Sequence, residues 1–508
     1  MLGRLRAAGV LLPVFSLPSR FGIGDLGPAA RRFVRLCAQS GFRYWQLLPW
    51  GPTSLQLDNS PYAALSAFAG NPLWISPEEL YAIGLLRRHE LLWLQPAEPS
   101  IDYPRVVAER SQLLERCYER FRTRHELQAA FEQFALQQQW WLEPWALFAT
   151  IAEQVGSAHW SSWDPELRQR HPEALRRIVH RWRHRVEFHQ WVQFEFFRQW
   201  EQLHQYCRAH GIALIGDLAL FLAHSSADVW YWSEGFLLDA AGNPTLVAGA
   251  PPDAFAPRGQ RWGHPLYNWE WHLATRFQWW CRRVAHALAM VELLRLDHFR
   301  GYAACWAVPV HAPDASVGSW LATPGDALLS ALVHYCGCLP AIAEDLGTIT
   351  PDVELLRIRW RLPGSRVLLF AFPAPQSSPH APHNVEPESV LYTSVHDTAP
   401  LRAWFESAEP ELRASVARYV GKPLRGSTVH WELLRFACAS AAWLLIVPVQ
   451  DLCGCTGRIN VPGTPHMNWR WRLPPNLPTR RQWERAAELL ALYGRAASGP
   501  VPQPRHAR

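Results

Sequence analysis

The chain has 508 residues, a formal net charge of +6, 49% hydrophobic and 19% charged residues. That is ample apolar material for a large core, and the dispersed arginines that carry the excess charge do not make a nucleic-acid surface. Lysine occurs once, in Val420-Gly421-Lys422-Pro423, which excludes a P-loop and leaves kinase or Schiff-base chemistry with this one residue.

From the N-terminus, Arg4 and Arg6 precede an apolar stretch over residues 7–17 that superficially resembles a signal peptide. Pro13 and Pro18 interrupt it and no small-residue cleavage site follows, so it reads as a buried first strand of a cytoplasmic protein. Eight short apolar runs then recur, at residues 9–15, 44–49, 212–218, 293–297, 341–344, 367–372, 391–395 and 444–449. Continuous rather than alternating runs suit strands buried on both faces. Helical patterns separate several of them, at residues 29–38, 275–290 and 326–336. The expectation is an α/β fold, a (β/α)8 TIM barrel with helical inserted subdomains, forming one catalytic domain over 1–508.

The spacing of the runs is uneven. The second and third are separated by a long Trp-, Gln-, Glu- and Arg-rich stretch with helical patterns such as residues 126–154, so residues 73–210 are expected to be a helical insertion. Residues 218–292 are expected to form a loop-rich insertion covering the active site, with the Pro/Gly-rich segment 251–268 as an ordered surface loop. The apolar run at 437–449 is too short to cross a bilayer, so no membrane role is expected. The tail after Ala497 reads as frayed. The ten cysteines are scattered. Cys336-Gly337-Cys338 and Cys453-Gly454-Cys455 are too closely spaced for the usual zinc site, so buried free thiols are expected and no metal.

Parallel barrels carry their catalytic groups at the C-terminal ends of strands. Several of the runs here end in acids: Ile215-Gly216-Asp217, Leu294-Arg295-Leu296-Asp297-His298, Ile342-Ala343-Glu344-Asp345 and Val395-His396-Asp397, with Gln450-Asp451 after the last. Any one acid could be a helix N-cap, but several converging on one rim fit glycosidic chemistry, which needs one carboxylate to attack and another to donate a proton. Arg295 and Asp297 are two apart, hence on one face of a strand, and a fixed positive charge suits a carboxylate that must attack. The apolar setting of Glu344 suits general acid work. Among the tryptophans, Trp262 in the polar loop 258–265 is the better candidate for contact with a sugar, whereas Trp45, Trp443 and the Trp279-Trp280 pair read as packing.

The chain resembles the bacterial 4-α-glucanotransferases, or amylomaltases, from about residue 9 to residue 473. The resemblance is carried by separate blocks in order: Gly22-Ile23-Gly24-Asp25-Leu26-Gly27, Tyr44-Trp45-Gln46, Ser60-Pro61-Tyr62, Ile215-Gly216-Asp217, the stretch 249–267, the stretch 295–301, Ala343-Glu344-Asp345-Leu346-Gly347, His396-Asp397, Val449-Gln450-Asp451 and Pro462-Gly463-Thr464 with Asn468-Trp469. It implies a barrel acting on α-1,4-glucan donors and acceptors by double displacement, with glucose or maltooligosaccharides as acceptors. By matching, Asp297 is the nucleophile, Glu344 the acid/base and Asp397 the third acid, which grips the substrate. Asp217, Arg295, His298 and His396 line the donor site, and Tyr62, Asp253, Trp262 and Asn468 contact the glucan. The resemblance implies no organic cofactor and no obligatory metal. Three departures bear on specificity: Thr398 stands where the family usually has Asn, Ala254 where it commonly has Tyr, and residues 452–458 look shortened. A hydrolase of the same mechanism is the alternative, whereas a catalytically silent glucan-binding protein is disfavoured because all three acids are present.

Overall fold

The computed structural model describes residues 6–93, 99–253, 256–464 and 467–497. Ala254 and the tail beyond Ala497, both singled out in the sequence, lie outside the described residues. Among the described residues twelve strands occur in chain order: β1 Ala7–Leu11, β2 Tyr44–Gln46, β3 Ala213–Leu218, β4 Leu246–Ala250, β5 Gln260–Pro265, β6 Leu293–Leu296, β7 Ala304–Pro309, β8 Ser319–Ala322, β9 Ala341–Ala343, β10 Gly364–Val367, β11 Ser389–Tyr392 and β12 Leu444–Pro448. Eight of them, β1, β2, β3, β6, β9, β10, β11 and β12, close a barrel in that order. Every barrel pairing is parallel, and β1 completes the ring by pairing with both β12 and β2. In β1, β3, β6, β9, β11 and β12 every residue is buried, as parallel strands covered on both faces require. The fold is the expected (β/α)8 barrel.

Two local readings are corrected. The apolar run 367–372 is not the sixth barrel strand. That strand is β10, which ends at Val367, and the run continues as the 3-10 turn Leu368–Ala371. Nor is the segment 251–268 a loop throughout, since β5 occupies Gln260–Pro265 in an antiparallel sheet of order β5-β4-β7-β8 beside the barrel. Along β5 the first five residues alternate between part-buried and exposed and only Pro265 is buried, so it carries none of the apolar continuity that marks the barrel strands. At Gly249 a Cβ would meet the Gln260 carbonyl oxygen at 2.3 Å, which explains the glycine where β4 bulges against β5.

Between β2 and β3 run the helices Tyr103–Phe121, His125–Val155 and Pro172–Ala209. The last also holds the loop after β2 in place. Buried Gln193 and Gln199 accept hydrogen bonds from the backbone of Gly70 and Ser76, each at 2.7 Å. Asp228, also buried, accepts from Ala67 N at 2.8 Å. These bonds satisfy backbone groups that a buried loop would otherwise leave unpaired, and they fix the segment that carries Tyr62.

The seam between β9 and β10 is thin, with the single register pair Gly364–Ala343. Asp345 closes it: its Oδ1 accepts from Ser365 N at 2.6 Å, and its Oδ2 pairs with Arg357 at 3.2 Å and Arg366 at 3.3 Å. A Cβ at position 364 would lie 2.5 Å from that carboxylate, so glycine is needed there. Glu344, one residue earlier, therefore leaves its strand from a fixed point.

Candidate active site

The acids that end the apolar runs gather at the C-terminal rim of the barrel. Asp217 of β3 and Arg295 of β6 are direct register partners across two hydrogen-bonded strands. Arg295 Nη1 donates to Asp217 Oδ1 at 2.7 Å and Oδ2 at 2.8 Å, and to Asp297 Oδ1 at 2.8 Å. Its Nη2 lies 3.8 Å from Glu344 Oε2. One buried guanidinium thus faces three carboxylates. Tyr62 Oη donates to Asp217 Oδ2 at 2.7 Å, completing that carboxylate's partners without adding charge.

Glu344 stands directly after β9, and its Oε2 accepts from His298 N at 2.8 Å. Burial, together with the charge of Asp297, pushes Glu344 up to about 8, against the opposing pull of Arg295 and the His298 amide. It therefore holds a proton at neutral pH. His298 sits in the left-handed region at φ 48°, uncommon for a non-glycine residue. This conformation turns its amide toward Glu344 and starts the turn Phe299–Tyr302. Burial pushes the His298 imidazole down to about 4, so the ring is neutral. Trp262, on β5, meets it edge-on with centroids 4.9 Å apart at 89°. The small sheet thereby delivers a tryptophan to the rim.

Asp397 approaches from β11. Its Oδ1 lies 3.3 Å from His396 Nε2 and accepts from Asn460 Nδ2 at 2.6 Å, while Arg458 Nη2 donates to its backbone carbonyl at 2.6 Å. Burial alone would raise Asp397, but His396 and Asn460 outweigh it and hold the carboxyl at about 2. The same contact raises His396 above its ordinary value, against burial. Tyr62 stacks on His396 at 5.2 Å with rings 17° apart, and buried Trp469 lies 5.8 Å from Tyr62 and 6.1 Å from His396.

Tyr62, Asp217, Trp262, Arg295, Asp297, His298, Glu344, His396 and Asp397 thus form one contact network. Asp253 is exposed on the segment after β4, where its Oδ1 accepts from Ala256 N at 2.6 Å. Asn468 is buried, and its amide is occupied by Val461 N at 2.9 Å and Thr464 O at 2.8 Å. The sequence reading missed Asn460, Arg458 and Trp469 as parts of the site. Asn460 stands between Ile459 and Val461, two residues before Pro462-Gly463-Thr464, and its spacing alone carries no signal. Thr398 closes its own turn: Oγ1 accepts from Val395 N at 3.0 Å and Thr398 N donates to Val395 O at 3.1 Å. Among the described residues no group of three or more His, Cys, Asp or Glu could hold a metal ion, and no helix is long and apolar enough to cross a membrane.

The profile of the 4-alpha-glucanotransferase family matches residues 12–478. The chain belongs to this family. It is 44% identical over 493 residues to the 4-alpha-glucanotransferase of Aquifex aeolicus, covering 97% of this chain and 100% of the relative. It is 41% identical over 499 residues to that of Thermus thermophilus, covering 96% and 98% respectively. The solved amylomaltase from Streptococcus agalactiae in complex with acarbose superposes with a TM-score of 0.94 at 31% identity, covering 97% of this chain and 100% of that one. The enzyme is a transferase that moves glucan segments. Hydrolysis, the alternative left open by the sequence, is not favoured.

Proposed function

We propose that the enzyme transfers α-1,4-glucan segments by retaining double displacement, with Asp297 as nucleophile, Glu344 as acid and then base, and Asp397 as the group that grips the donor sugar. The observation that carries this reading is the contrast at the rim: Arg295 donates to Asp297 at 2.8 Å while burial leaves Glu344 protonated up to about 8. In the first step Glu344 gives its proton to the glycosidic oxygen, the bond from that oxygen to the anomeric carbon breaks and frees the leaving glucan, and Asp297 forms a bond to the same carbon. In the second, the 4-hydroxyl of a glucose or maltooligosaccharide acceptor attacks that carbon, displacing the Asp297 carboxylate, and Glu344 takes back the hydroxyl proton. Asp397, fixed by His396 and Asn460, accepts hydrogen bonds from sugar hydroxyls. Tyr62 and Trp262 offer ring faces to the glucan, Asp217, Arg295, His298 and His396 line the donor sugar, and Asp253 and Asn468 stand as outer contacts. All ten cysteines are free thiols, which fits a reducing, cytoplasmic setting.

Incubation with maltotriose alone tests the reading. A ladder of longer maltooligosaccharides plus glucose, with the number of reducing ends nearly constant, is expected. Glucose and maltose with rising reducing ends would overturn transfer. For the residue roles, Glu344→Gln should lose transfer from maltotriose by about 10³-fold. It should still release a single-turnover burst of fluoride from an α-maltosyl fluoride, whose leaving group needs no proton, before the missing base stalls the second step. Loss of both reactions would reject Glu344 as the acid.

A further inference from the structure

Asp451 is used nowhere in the mechanism above, yet it is among the most deeply placed carboxylates of the molecule, 1% exposed. It sits in the short helix Val449–Cys453, directly after β12. A buried carboxylate is costly unless hydrogen-bonded, and this one is fully engaged. Its Oδ2 accepts from Thr393 Oγ1 at 2.6 Å and Ser394 Oγ at 2.7 Å, and its Oδ1 from Leu401 N at 2.7 Å. These partners are not scattered. Thr393 and Ser394 are the first two residues beyond β11, and Leu401 opens the helix Leu401–Ser407. The residue before that helix, Pro400, offers no side chain to cap it, so Asp451 supplies the acceptor that a helix start needs. The segment between these anchors carries His396 and Asp397.

We infer that Asp451 is a positioning residue for the transfer reaction, clamping both ends of the 393–401 loop so that His396 and Asp397 stand correctly at the donor sugar. This rests on the role proposed for Asp397. The loop's middle is tied by Thr398, Asn460 and Arg458, but those bonds fix its shape and its contact with the neighbouring loop. The Asp451 bonds join both ends of the loop to the short helix after β12. Burial raises the Asp451 carboxyl to about 6, the signature of a group held in place at a cost to its charged form.

The test compares Asp451→Ala with Asp451→Asn in the full chain, at a temperature well below melting and per folded molecule. Alanine removes all three bonds, and kcat for maltotriose should fall about 100-fold, the cost of misplacing reacting groups by about 1 Å, with donor KM changed little. Asparagine can accept from Leu401 N through its oxygen while its amide donates to the Thr393 and Ser394 hydroxyls. It should therefore restore kcat to within about tenfold of wild type. Wild-type kcat in folded Asp451→Ala, or equal losses in the two variants, would overturn the inference. A purely structural role would lower the melting temperature and leave kcat per folded molecule intact. If Asp451→Ala does not fold, the double variant Thr393→Val, Ser394→Ala removes the Oδ2 partners instead. It should lower kcat about tenfold, and an unchanged kcat overturns the inference. Failure of the wild-type enzyme to disproportionate maltotriose, or full activity in Asp397→Asn, would instead reject the underlying reading.

Discussion

Around Arg295, three carboxylates share one buried guanidinium and are placed by strand ends: β3 for Asp217, β6 for Asp297 and β9 for Glu344. Across the rim Asp397 stands on a loop, part-exposed, held by an imidazole, a carboxamide and backbone bonds. The first side is ordered by charge in a largely buried region, so its parts are coupled and loss of the guanidinium strands the carboxylates. The second is ordered by one imidazole–carboxylate pair and by hydrogen bonds that can be exchanged for one another. A carboxylate that must form a covalent bond needs the first kind of support. One that follows a sugar as it distorts is served by the second.

The sharpest way to break this comparison is to remove the guanidinium. Arg295→Met leaves Asp217 with Tyr62 alone and Asp297 without its donor. Stability should drop by about 3–5 kcal/mol, the usual result of orphaning a buried charge, and transfer should fall by about 10³-fold. The matching cut on the other side, Asp397→Asn, should abolish most activity yet move the melting temperature by only about 1–2 °C. Equal thermal losses in calorimetry would show that the two sides are not differently built.

The next effect has the opposite sign. Because burial lifts Glu344 from 4.5 to about 8, the folded state binds its proton more tightly than the unfolded chain does. The stability this represents is complete below pH 4.5 and drains away as the pH rises toward 8. At pH 7 the drain amounts to about 3 kcal/mol. Glu344→Gln keeps an acceptor for His298 N and removes the titration, so it should melt about 3 °C above wild type at pH 7 and no higher at pH 4. In the wild type, kcat/KM should fall as the pH rises through about 8, where the acid loses its proton. A variant melting below wild type at pH 7 would contradict the raised value, and with it the assignment of the acid.

The charge-ordered side is also the more legible one. Arg295 and Asp297 announce themselves by a two-residue spacing at the end of an apolar run, and Glu344 by the run before it. The barrel reading makes β3 and β6 neighbours, but the register that sets Asp217 opposite Arg295 is not readable, because the run ends alone do not fix it. Of the barrel strands, β10 is misplaced in the sequence for a related reason. Its residues Gly364, Ser365 and Arg366 serve Asp345 rather than the apolar core, so the apolar run begins only where the strand ends. The small sheet escapes notice because its polar strand β5 largely alternates exposed and part-buried residues, and with it the structural reason for Trp262 at the rim. On the loop-ordered side, Asn460 and Asp451 act across 63 and 58 residues of sequence, and no local pattern encodes contacts of that range.

The smallest expected effect concerns Thr398, the departure from the family's usual asparagine. Its hydroxyl accepts from Val395 N and its own N–H returns a bond to Val395 O, the local bonding that Ser, Thr, Asn and Asp side chains share. Asparagine can make the same acceptor contact, so Thr398→Asn should leave kcat for maltotriose within about twofold of wild type. Thr398→Ala removes the acceptor and frees the Val395 amide, at a cost of about 1 kcal/mol. Because Asp397 keeps Asn460 and Arg458, that cost should appear as a kcat lowered about threefold. A loss in Thr398→Asn as large as in Thr398→Ala would mean that the side chain does more than close its turn, and that the loop tolerates less exchange than its hydrogen bonding implies.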